Sequence, residues 1–267
     1  MSFQSNETIT VAFSRDELVS QFKALGVERG MVLEVHSSLK SLGFVIGGAQ
    51  SVVDALLQCA GEEGTLIMSG QNSNNTEPVF WENPPIERSL FEKVRDNMPA
   101  TIPQGSDLFW MGEVARNLAM RKEAVWSGHP NCAFYAIGAQ AEELMASQPL
   151  DFALGESSPL GKMYEAGAMV LLIGVGYDSC TSLHLAESRS GVRSVMIQGA
   201  AVNEDGENVW KKYLDINYDS DEFPEIGEKL EAAGLVTTGQ VGDAECKLFS
   251  LAAAVDLAEE YLKKKHI

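Results

Sequence analysis

Two short apolar runs, separated by a segment of helical periodicity, constrain the fold most. The runs "GMVLEV" (30–35) and "GTLIMS" (64–69) each follow a glycine and have the length of a buried strand. Between them, "AQSVVDALLQCA" (49–60) places apolar residues at the spacing of one helix face. Strand, helix and strand make a βαβ unit, whose two strands are parallel. The sequence therefore predicts an α/β fold with a partly parallel sheet.

Local signals predict further elements. Ser14 and Glu17 form a capping box at the start of a helix that Gly26 ends, and Ser158 is the predicted N-cap of another helix. Asp205-Gly206 predicts the turn of a β-hairpin. Four more helices are predicted, at 86–97, 112–120, 138–147 and 250–265. Residues 70–110 are predicted to form long loops around one of them. No repeat or linker is visible, so residues 1–267 are predicted to form one domain.

Composition and charge restrict the class of protein. The chain is 45% hydrophobic and 22% charged, which is typical of soluble globular proteins, and no apolar stretch reaches the length of a membrane span. The polar start "MSFQSNETIT" lacks the pattern of a secretory signal, so a cytoplasmic location is expected. A net charge of −18 disfavours binding to nucleic acid or anionic membranes and favours a cationic partner. Solubility alone also explains such a charge.

Metal and nucleophile motifs are missing from the sequence. The four cysteines form no CxxC pair, which predicts free thiols rather than disulfides or a zinc site. No two of the four histidines have the spacing of a metal pair, so no metal is expected. "GESSPLG" (155–161) lacks the GxSxG pattern of a serine hydrolase, and its serine is explained as the helix cap.

The segment "TSLHLAES" (181–188) contains a histidine and a glutamate three residues apart, shortly after the apolar run "AMVLLIGVG" (168–176). On a helix, His184 and Glu187 lie on one face, and the helix would start near a strand's carboxyl end, where open α/β folds bind ligands. The helix dipole favours neutral imidazole, and the carboxylate would hold its second nitrogen, so the pair predicts a general base. An ordinary surface contact explains the residues equally well.

The segment "HSSLKSLG" (36–43) follows the first predicted strand. The hydroxyls of Ser37 and Ser38, together with nearby backbone amides, could hold phosphate or amide groups of a ligand. On the residues alone, a simple connection whose serines satisfy backbone groups is the favoured interpretation.

Several segments, in one order, resemble the aminoglycoside 3-N-acetyltransferases. The resemblance covers nearly the whole chain, and a series of motifs in fixed order is more specific than any one of them. The matching segments are "EVHSSLKSLGFVIGGAQSVVDALLQCAGEEGTLIM", "MGEVARNL", "SGHPNCAFYAIGAQA", "LGESSPLGKMYEAGAMVLLIGVGYDSCTSLHLAES", "EFPEIGEKL" and "GQVGDAECKLFS".

This resemblance implies a single layered α/β domain with a central mixed sheet flanked by helices, distinct from the common GNAT acetyltransferase fold. It implies transfer of acetyl from acetyl-coenzyme A to the 3-amino group of an aminoglycoside, an antibiotic-resistance activity that needs no metal, by a monomer or homodimer. It also assigns roles to residues of this chain. Coenzyme A would contact Ser37, Ser38, Leu39 and Gly43, and catalysis would use His184 as base, Glu187 as its partner and Thr181 nearby.

The chain departs from the family pattern at three places. Cys180 stands where relatives usually have Asn, and Trp126-Ser127 stands where they tend to have Arg-Ser. "SDLFWMG" (106–112) replaces a Thr-Pro-containing stretch. Because the His184–Glu187 pair is intact, these departures bear on which amine is accepted. The alternatives are an N-acetyltransferase of the same fold acting on another small amine, and a non-catalytic polycation-binding protein.

An acidic run is the candidate binding site for a polycationic acceptor. "NEDGENVWKKYLDINYDSDEFPE" (203–225) includes Asp215, Asp219 and Glu222, which are the predicted substrate carboxylates. Asp221 and Glu225 lie in the same run, together with aromatic residues whose faces could pack against sugar rings: Trp210, Tyr213 and Tyr218. A solvated loop is the ordinary explanation of such a run.

Overall fold

The computed structural model describes residues 8–104 and 108–266, and a seven-stranded mixed sheet forms its centre. The strands of the described chain are β1 (Val32–Ser37), β2 (Thr65–Gln71), β3 (Val125–Trp126), β4 (Cys132–Gly138), β5 (Met169–Ile173), β6 (Val195–Glu204), β7 (Glu207–Ile216), β8 (Val236–Val241) and β9 (Ala244–Ser250). The sheet order is β3-β4-β2-β1-β5-β9-β8. β1 is parallel to β2 and β5, and the other pairs are antiparallel. The predicted α/β class and mixed sheet are confirmed.

Helices cover both faces of the sheet. The α-helices of the described chain are α1 (Arg15–Leu25), α2 (Gly48–Ala60), α3 (Phe91–Asn97), α4 (Gly112–Ala119), α5 (Ala141–Met145), α6 (Pro159–Glu165), α7 (Leu183–Ser190), α8 (Phe223–Ala232) and α9 (Leu251–Lys265). Among them, α3 buries no residue and does not pack on the sheet. The predicted capping box is present, because the Glu17 carboxylate accepts from the Ser14 amide at 2.8 Å. Gly26 ends α1 with a φ of 112°, in the left-handed region. Ser158 caps α6 as predicted, by accepting from the Leu160 amide.

Two apolar clusters lie on opposite faces of the sheet. α1, α2 and α4 bury their apolar faces in one cluster, while α5 to α9 contribute to the other. β2 and β5 are the neighbours of β1 on its two sides. The helix that precedes β2 is α2 and the helix that precedes β5 is α6, and these two helices pack on opposite faces of the sheet. This reversal opens a crevice at the carboxyl ends of β1 and β5, which is where α/β sheets bind ligands.

β4 was not predicted from the sequence. The sequence pattern placed "WSGHPNCAF" (126–134) between two helices and predicted a helix over 138–147, of which only Ala141–Met145 is helical. β4 pairs with β2 and β3, and residues 133–137 are all buried. A strand covered on both faces has no apolar–polar alternation, so its pattern cannot be distinguished from a loop or short helix.

The predicted hairpin exists and forms a separate two-stranded sheet, β6–β7. Asp205 and Gly206 turn the chain with positive φ angles of 51° and 91°, as a two-residue turn requires. Asn75, in the long loop after β2, binds the edge of the hairpin: its Oδ1 accepts from the Ala201 amide at 2.7 Å and its Nδ2 donates to the Ala201 carbonyl at 2.8 Å. The loop and hairpin are therefore joined by a buried side chain.

Replacing Asn75 by Ala should lower the free energy of unfolding by about 1–3 kcal/mol, because the buried Ala201 amide and carbonyl would lose their partner. Urea denaturation measures the change. Asn74→Ala is the matched control, since Asn74 is exposed and should stay within about 0.5 kcal/mol of the parent. Equal stabilities of the two variants would show that the Asn75 contact does not join the loop to the hairpin.

Candidate active site

A cavity of about 640 Å³ lies at the carboxyl ends of β1 and β5. His184, the second residue of α7, lines it together with Thr181. Ser37, Ser38 and Leu39 line the same cavity from the end of β1. The structure thus brings together the two predicted groups of residues, which are far apart in sequence.

The His184 ring is held at one nitrogen. Its Nδ1 lies 2.5 Å from Oε2 of Glu187, whose side chain is fully buried, while the His184 side chain remains 15% exposed. The rings of Tyr218 and Phe223 pack against the imidazole at centroid distances of 5.0 and 4.9 Å. A proton on Nδ1 that is bound by a carboxylate leaves the Nε2 lone pair free to accept a proton. This geometry would allow Nε2 to accept a proton from a bound ligand.

Arg193 completes this arrangement, and the sequence analysis did not find it. Its Nε donates to Oε1 of Glu187 at 2.5 Å, and the Asp219 amide donates to the same oxygen at 3.1 Å. The buried carboxylate of Glu187 is therefore matched by donors on both oxygens, as its burial requires. Arg193 was not predicted because it follows Gly191, which caps the end of α7. The spacing of residues on a helix therefore says nothing about whether Arg193 contacts Glu187.

The acceptor carboxylates predicted from the acidic run fall into two groups. Asp219 and Glu222 do not line this cavity, nor a second one that adjoins it. Both carboxylates instead bind Arg193, and Oε2 of Glu222 lies 2.9 Å from Nη2 of Arg193. Glu222 also contacts Lys265 at 2.9 Å and His266 at 3.0 Å. Of the three predicted substrate carboxylates, Asp215 alone lines a cavity, while Asp219 and Glu222 instead neutralise the Arg193 guanidinium.

A second cavity, of about 910 Å³, adjoins the first, and Gln71 and Trp110 line both. Its described lining contains two carboxylates, Glu82 and Asp215, and no basic side chain. Aromatic side chains form much of the remaining wall: Phe80, Trp81, Trp110 and Tyr218. An acidic cavity with aromatic walls is suited to a cationic molecule with flat apolar faces.

Asp215, at the end of β7, is almost fully buried. Burial raises the pKa of its carboxyl to about 6, although hydrogen bonds from Tyr218 and the Ile216 amide act in the opposite direction. Of the three aromatic residues predicted to face sugar rings, only Tyr218 lines the cavity. The Tyr213 hydroxyl is buried against Asn131, and the Trp210 indole packs against the hairpin backbone at Gly199.

In the predicted cofactor segment, one serine has a backbone partner for its hydroxyl and the other has none within the described chain. The Ser38 hydroxyl accepts from the Ser41 amide at 3.4 Å and caps the short 3-10 helix that follows β1. The Ser37 hydroxyl lines the cavity and has no hydrogen-bond partner among the described residues. Gly43, also predicted to contact the cofactor, lies outside the cavity wall beside Asp243, because it ends the 3-10 helix. The structure therefore does not bring Gly43 to the cavity that Ser37 and Ser38 line.

Among the departures from the family pattern, one lies at the cavities. Trp110, within "SDLFWMG", lines both of them, whereas residues 106 and 107 of that stretch lie outside the described chain. Ser127 donates to Gln148 at 2.6 Å and accepts from the Phe134 amide, so its role is structural. Cys180 is a fully buried free thiol, and burial raises its pKa.

Other groups outside the cavities have structural partners. His129 is buried, its Nδ1 accepts from the amides of Asn131 and Cys132, and burial lowers its pKa to about 4. Within residues 8–104 and 108–266, no three His, Cys, Asp or Glu side chains form a metal-binding group. No described helix has the length and apolarity needed to cross a membrane.

Replacing Arg193 by Leu should lower the free energy of unfolding by about 3–5 kcal/mol, because Glu187 would be left as an uncompensated buried charge. Arg116→Leu is a control that removes an exposed pair with Glu113 and should cost less than about 1 kcal/mol. Denaturant unfolding of the two variants provides the comparison. If they lost equal stability, Glu187 would not depend on Arg193.

Known proteins are similar to this chain in fold and sequence. The prophage-derived aminoglycoside N(3')-acetyltransferase-like protein YokD of Bacillus subtilis (strain 168) is 38% identical over 256 residues, covering 96% of this chain and 94% of YokD. Its crystal structure matches with a TM-score of 0.93 over 96% of this chain and 95% of that chain. Aminoglycoside N(3)-acetyltransferase VIII of Streptomyces fradiae is 34% identical, covering 94% of this chain and 92% of that protein.

A solved aminoglycoside acetyltransferase, AAC(3)-Xa, is 31% identical and has a TM-score of 0.88, over 96% of this chain and 94% of its own. The sequence profile of the aminoglycoside 3-N-acetyltransferases matches residues 35–263, which include both cavities and the His184–Glu187 pair. These likenesses extend over nearly the full described chain. The protein is an acyltransferase that belongs to the aminoglycoside 3-N-acetyltransferase family.

Proposed function

We propose that this protein transfers acetyl from acetyl-coenzyme A to the 3-amino group of an aminoglycoside, with His184 as general base. The observation that supports this most is the His184 ring, held by the buried Glu187 at Nδ1 and lining a cavity that adjoins an acidic one. A solved relative, a mutant of the aminoglycoside acetyltransferase AAC(3)-IVa, is in complex with a gentamicin; it is 29% identical, with a TM-score of 0.79. An aminoglycoside acceptor is consistent with that relative.

The two cavities suit the two substrates differently. The cavity lined by Ser37 and Ser38 has hydroxyls at the end of β1, suited to the amide and phosphate groups of coenzyme A. The larger cavity, with Glu82 and Asp215, suits a polyamine. Gln71 and Trp110 lie where the cavities meet, so the thioester and the amine would approach each other there.

In this mechanism, the amine becomes nucleophilic by losing a proton to Nε2 of His184 as it attacks the thioester carbonyl. The C–N bond forms, the C–S bond breaks, and the thiolate of coenzyme A leaves and takes up a proton. Thr181, whose Oγ1 accepts a hydrogen bond from Ser69 at 2.9 Å, retains its own hydroxyl proton to donate to the oxyanion. Cys132 lines the acceptor cavity, but burial raises its thiol pKa, so direct transfer is favoured over an acyl-enzyme.

A second candidate function is acetylation of another small amine. Trp110 favours it, since this departure from the family pattern lines both cavities and changes the space where acceptor and thioester meet. Thiol release from acetyl-coenzyme A, assayed over a panel of aminoglycosides and simple amines, distinguishes the two. A non-catalytic polycation-binding protein would release no thiol with any of them.

His184→Ala should lower kcat by about 10²–10⁴-fold, the usual contribution of a positioned base, while amine binding persists. Steady-state kinetics of thiol release measure the effect, and calorimetry measures binding. His266→Ala is the control, because His266 lies at the exposed end of α9. A His184→Ala enzyme with a rate near the parent's would rule out the assignment of the base.

Ser37→Ala combined with Ser38→Ala should raise the KM for acetyl-coenzyme A more than that for the amine, since both residues line the cofactor cavity. Initial-rate kinetics with each substrate varied in turn give both constants. Ser41→Ala is a nearby control, as Ser41 does not line the cavity. An unchanged KM for acetyl-coenzyme A in the double variant would exclude the loop from the cofactor site.

Asp215→Asn should weaken aminoglycoside binding and remove part of its pH dependence. Because burial raises the pKa of Asp215 to about 6, the carboxyl is neutral below that pH, and affinity for a polycation should increase as pH rises through about 6. Calorimetry in a His184→Ala background removes the titration of the base itself. Asp221→Asn is the exposed control. If binding by Asp215→Asn kept the parent's pH dependence, Asp215 would not contact the amine.

A further inference from the structure

A second buried carboxylate lies beneath the reaction centre and has no role in the mechanism above. Glu34 is on β1, and its side chain is fully buried. Its Oε2 accepts a hydrogen bond from the hydroxyl of Ser182, the residue before the first residue of α7. Burying a carboxylate in a sheet is costly unless donors surround it, so this residue requires an explanation.

His36 is the neighbouring group that can match it. It lies two residues along β1, on the same face, and its Nε2 is 3.3 Å from Oε1 of Glu34. Both atoms are buried, and neither makes an aligned hydrogen bond to a described residue. Within the described chain, no other base lies within ion-pair distance of Glu34. Each atom thus has the other as its only available partner.

The pair also connects the two halves of the reaction centre. His36 lines the cofactor cavity and immediately precedes Ser37 and Ser38. Through Ser182, Glu34 contacts the start of the helix that carries His184. The positive end of the α7 dipole lies at Ser182 and favours an anion there. One carboxylate therefore contacts both the strand that leads into the cofactor loop and the helix of the base.

We propose that Glu34 and His36 form a second carboxylate–imidazole pair, whose function is to position the base relative to the thioester. In this pair, Glu34 accepts from the Ser182 hydroxyl with one oxygen and from Nε2–H of His36 with the other. Neither residue exchanges a proton with substrate; both are positioning residues. The proposal rests on the proposed acetyl transfer, and it adds residues that the His184–Glu187 pair does not include.

A purely structural role makes a different prediction. Replacing a buried ion pair by apolar residues of similar volume is often neutral or stabilising. Glu34→Met alone removes one partner and should lower the free energy of unfolding, whereas the double variant, which removes both, should recover part of that loss. If the pair positions the base, kcat should also fall by about 10–100-fold, the scale expected from a misplacement of about 1 Å, with both KM values within about twofold.

The test combines Glu34→Met, His36→Asn and the double variant in steady-state kinetics and denaturant unfolding. Because the two residues act as one unit, the double variant should lose no more kcat than the worse single variant. Kinetic losses that multiply, or a Glu34→Met enzyme with the parent's kcat, would overturn the proposal. Glu17→Met, at the exposed cap of α1, controls for loss of a carboxylate.

A second measurement does not depend on turnover. Nitrogen-15 NMR of the parent should show the His36 proton on Nε2, and Glu34→Met should change that signal while the signal of His184 persists. A parent protein with the His36 proton on Nδ1 alone would overturn the pair, whatever the enzyme acetylates. If no amine were acetylated but His36 showed the expected tautomer, the acetyl-transfer function and the positioning role would fail, and the pair itself would stand.

Discussion

The candidate site depends on the hydrogen bonds that surround the buried carboxylate of Glu187. A charge removed from water must be matched by donors, and here the donors come from separate parts of the chain: His184 on α7, Arg193 after that helix, and the Asp219 amide after β7. Satisfying one carboxylate therefore fixes the end of the β6–β7 hairpin against α7. Arg193 also binds Glu222, and Glu222 in turn binds Lys265 at the end of α9, so the network reaches that helix.

The sheet determines where this network lies. β1 lies between two parallel strands, β2 and β5, and the helices that precede those strands pack on opposite faces of the sheet. The carboxyl ends of β1 and β5 therefore form a crevice. The predicted cofactor segment follows β1, and α7, which carries His184, follows β5. The hairpin and the loop after β2, joined by Asn75, enclose the acidic cavity on the other side of Trp110. The two cavities therefore meet at one edge of the sheet, where Gln71 and Trp110 line both.

Local sequence signals predicted those features that depend on neighbouring residues. The capping box at Ser14, the Asp205-Gly206 turn and the His184–Glu187 spacing are each set within a few residues, and all appear as predicted. Features that depend on distant partners were missed. The pairing of Arg193 with Glu187 follows from the chain reversing after Gly191, and β4 is covered on both faces. In the acidic run, sequence could not separate Asp215 in the cavity from Asp219 on Arg193.

The central claim is that His184 removes a proton from the acceptor amine while Glu187 holds its other nitrogen. A crystal structure with coenzyme A and an aminoglycoside tests it most directly. We expect the 3-amino nitrogen to lie about 2.6–3.2 Å from Nε2 of His184. We also expect the sulfur of coenzyme A to reach the same junction from the Ser37 side, beside Trp110. An amine bound at the Asp219–Glu222 cluster, with His184 out of reach of both substrates, would contradict the claim.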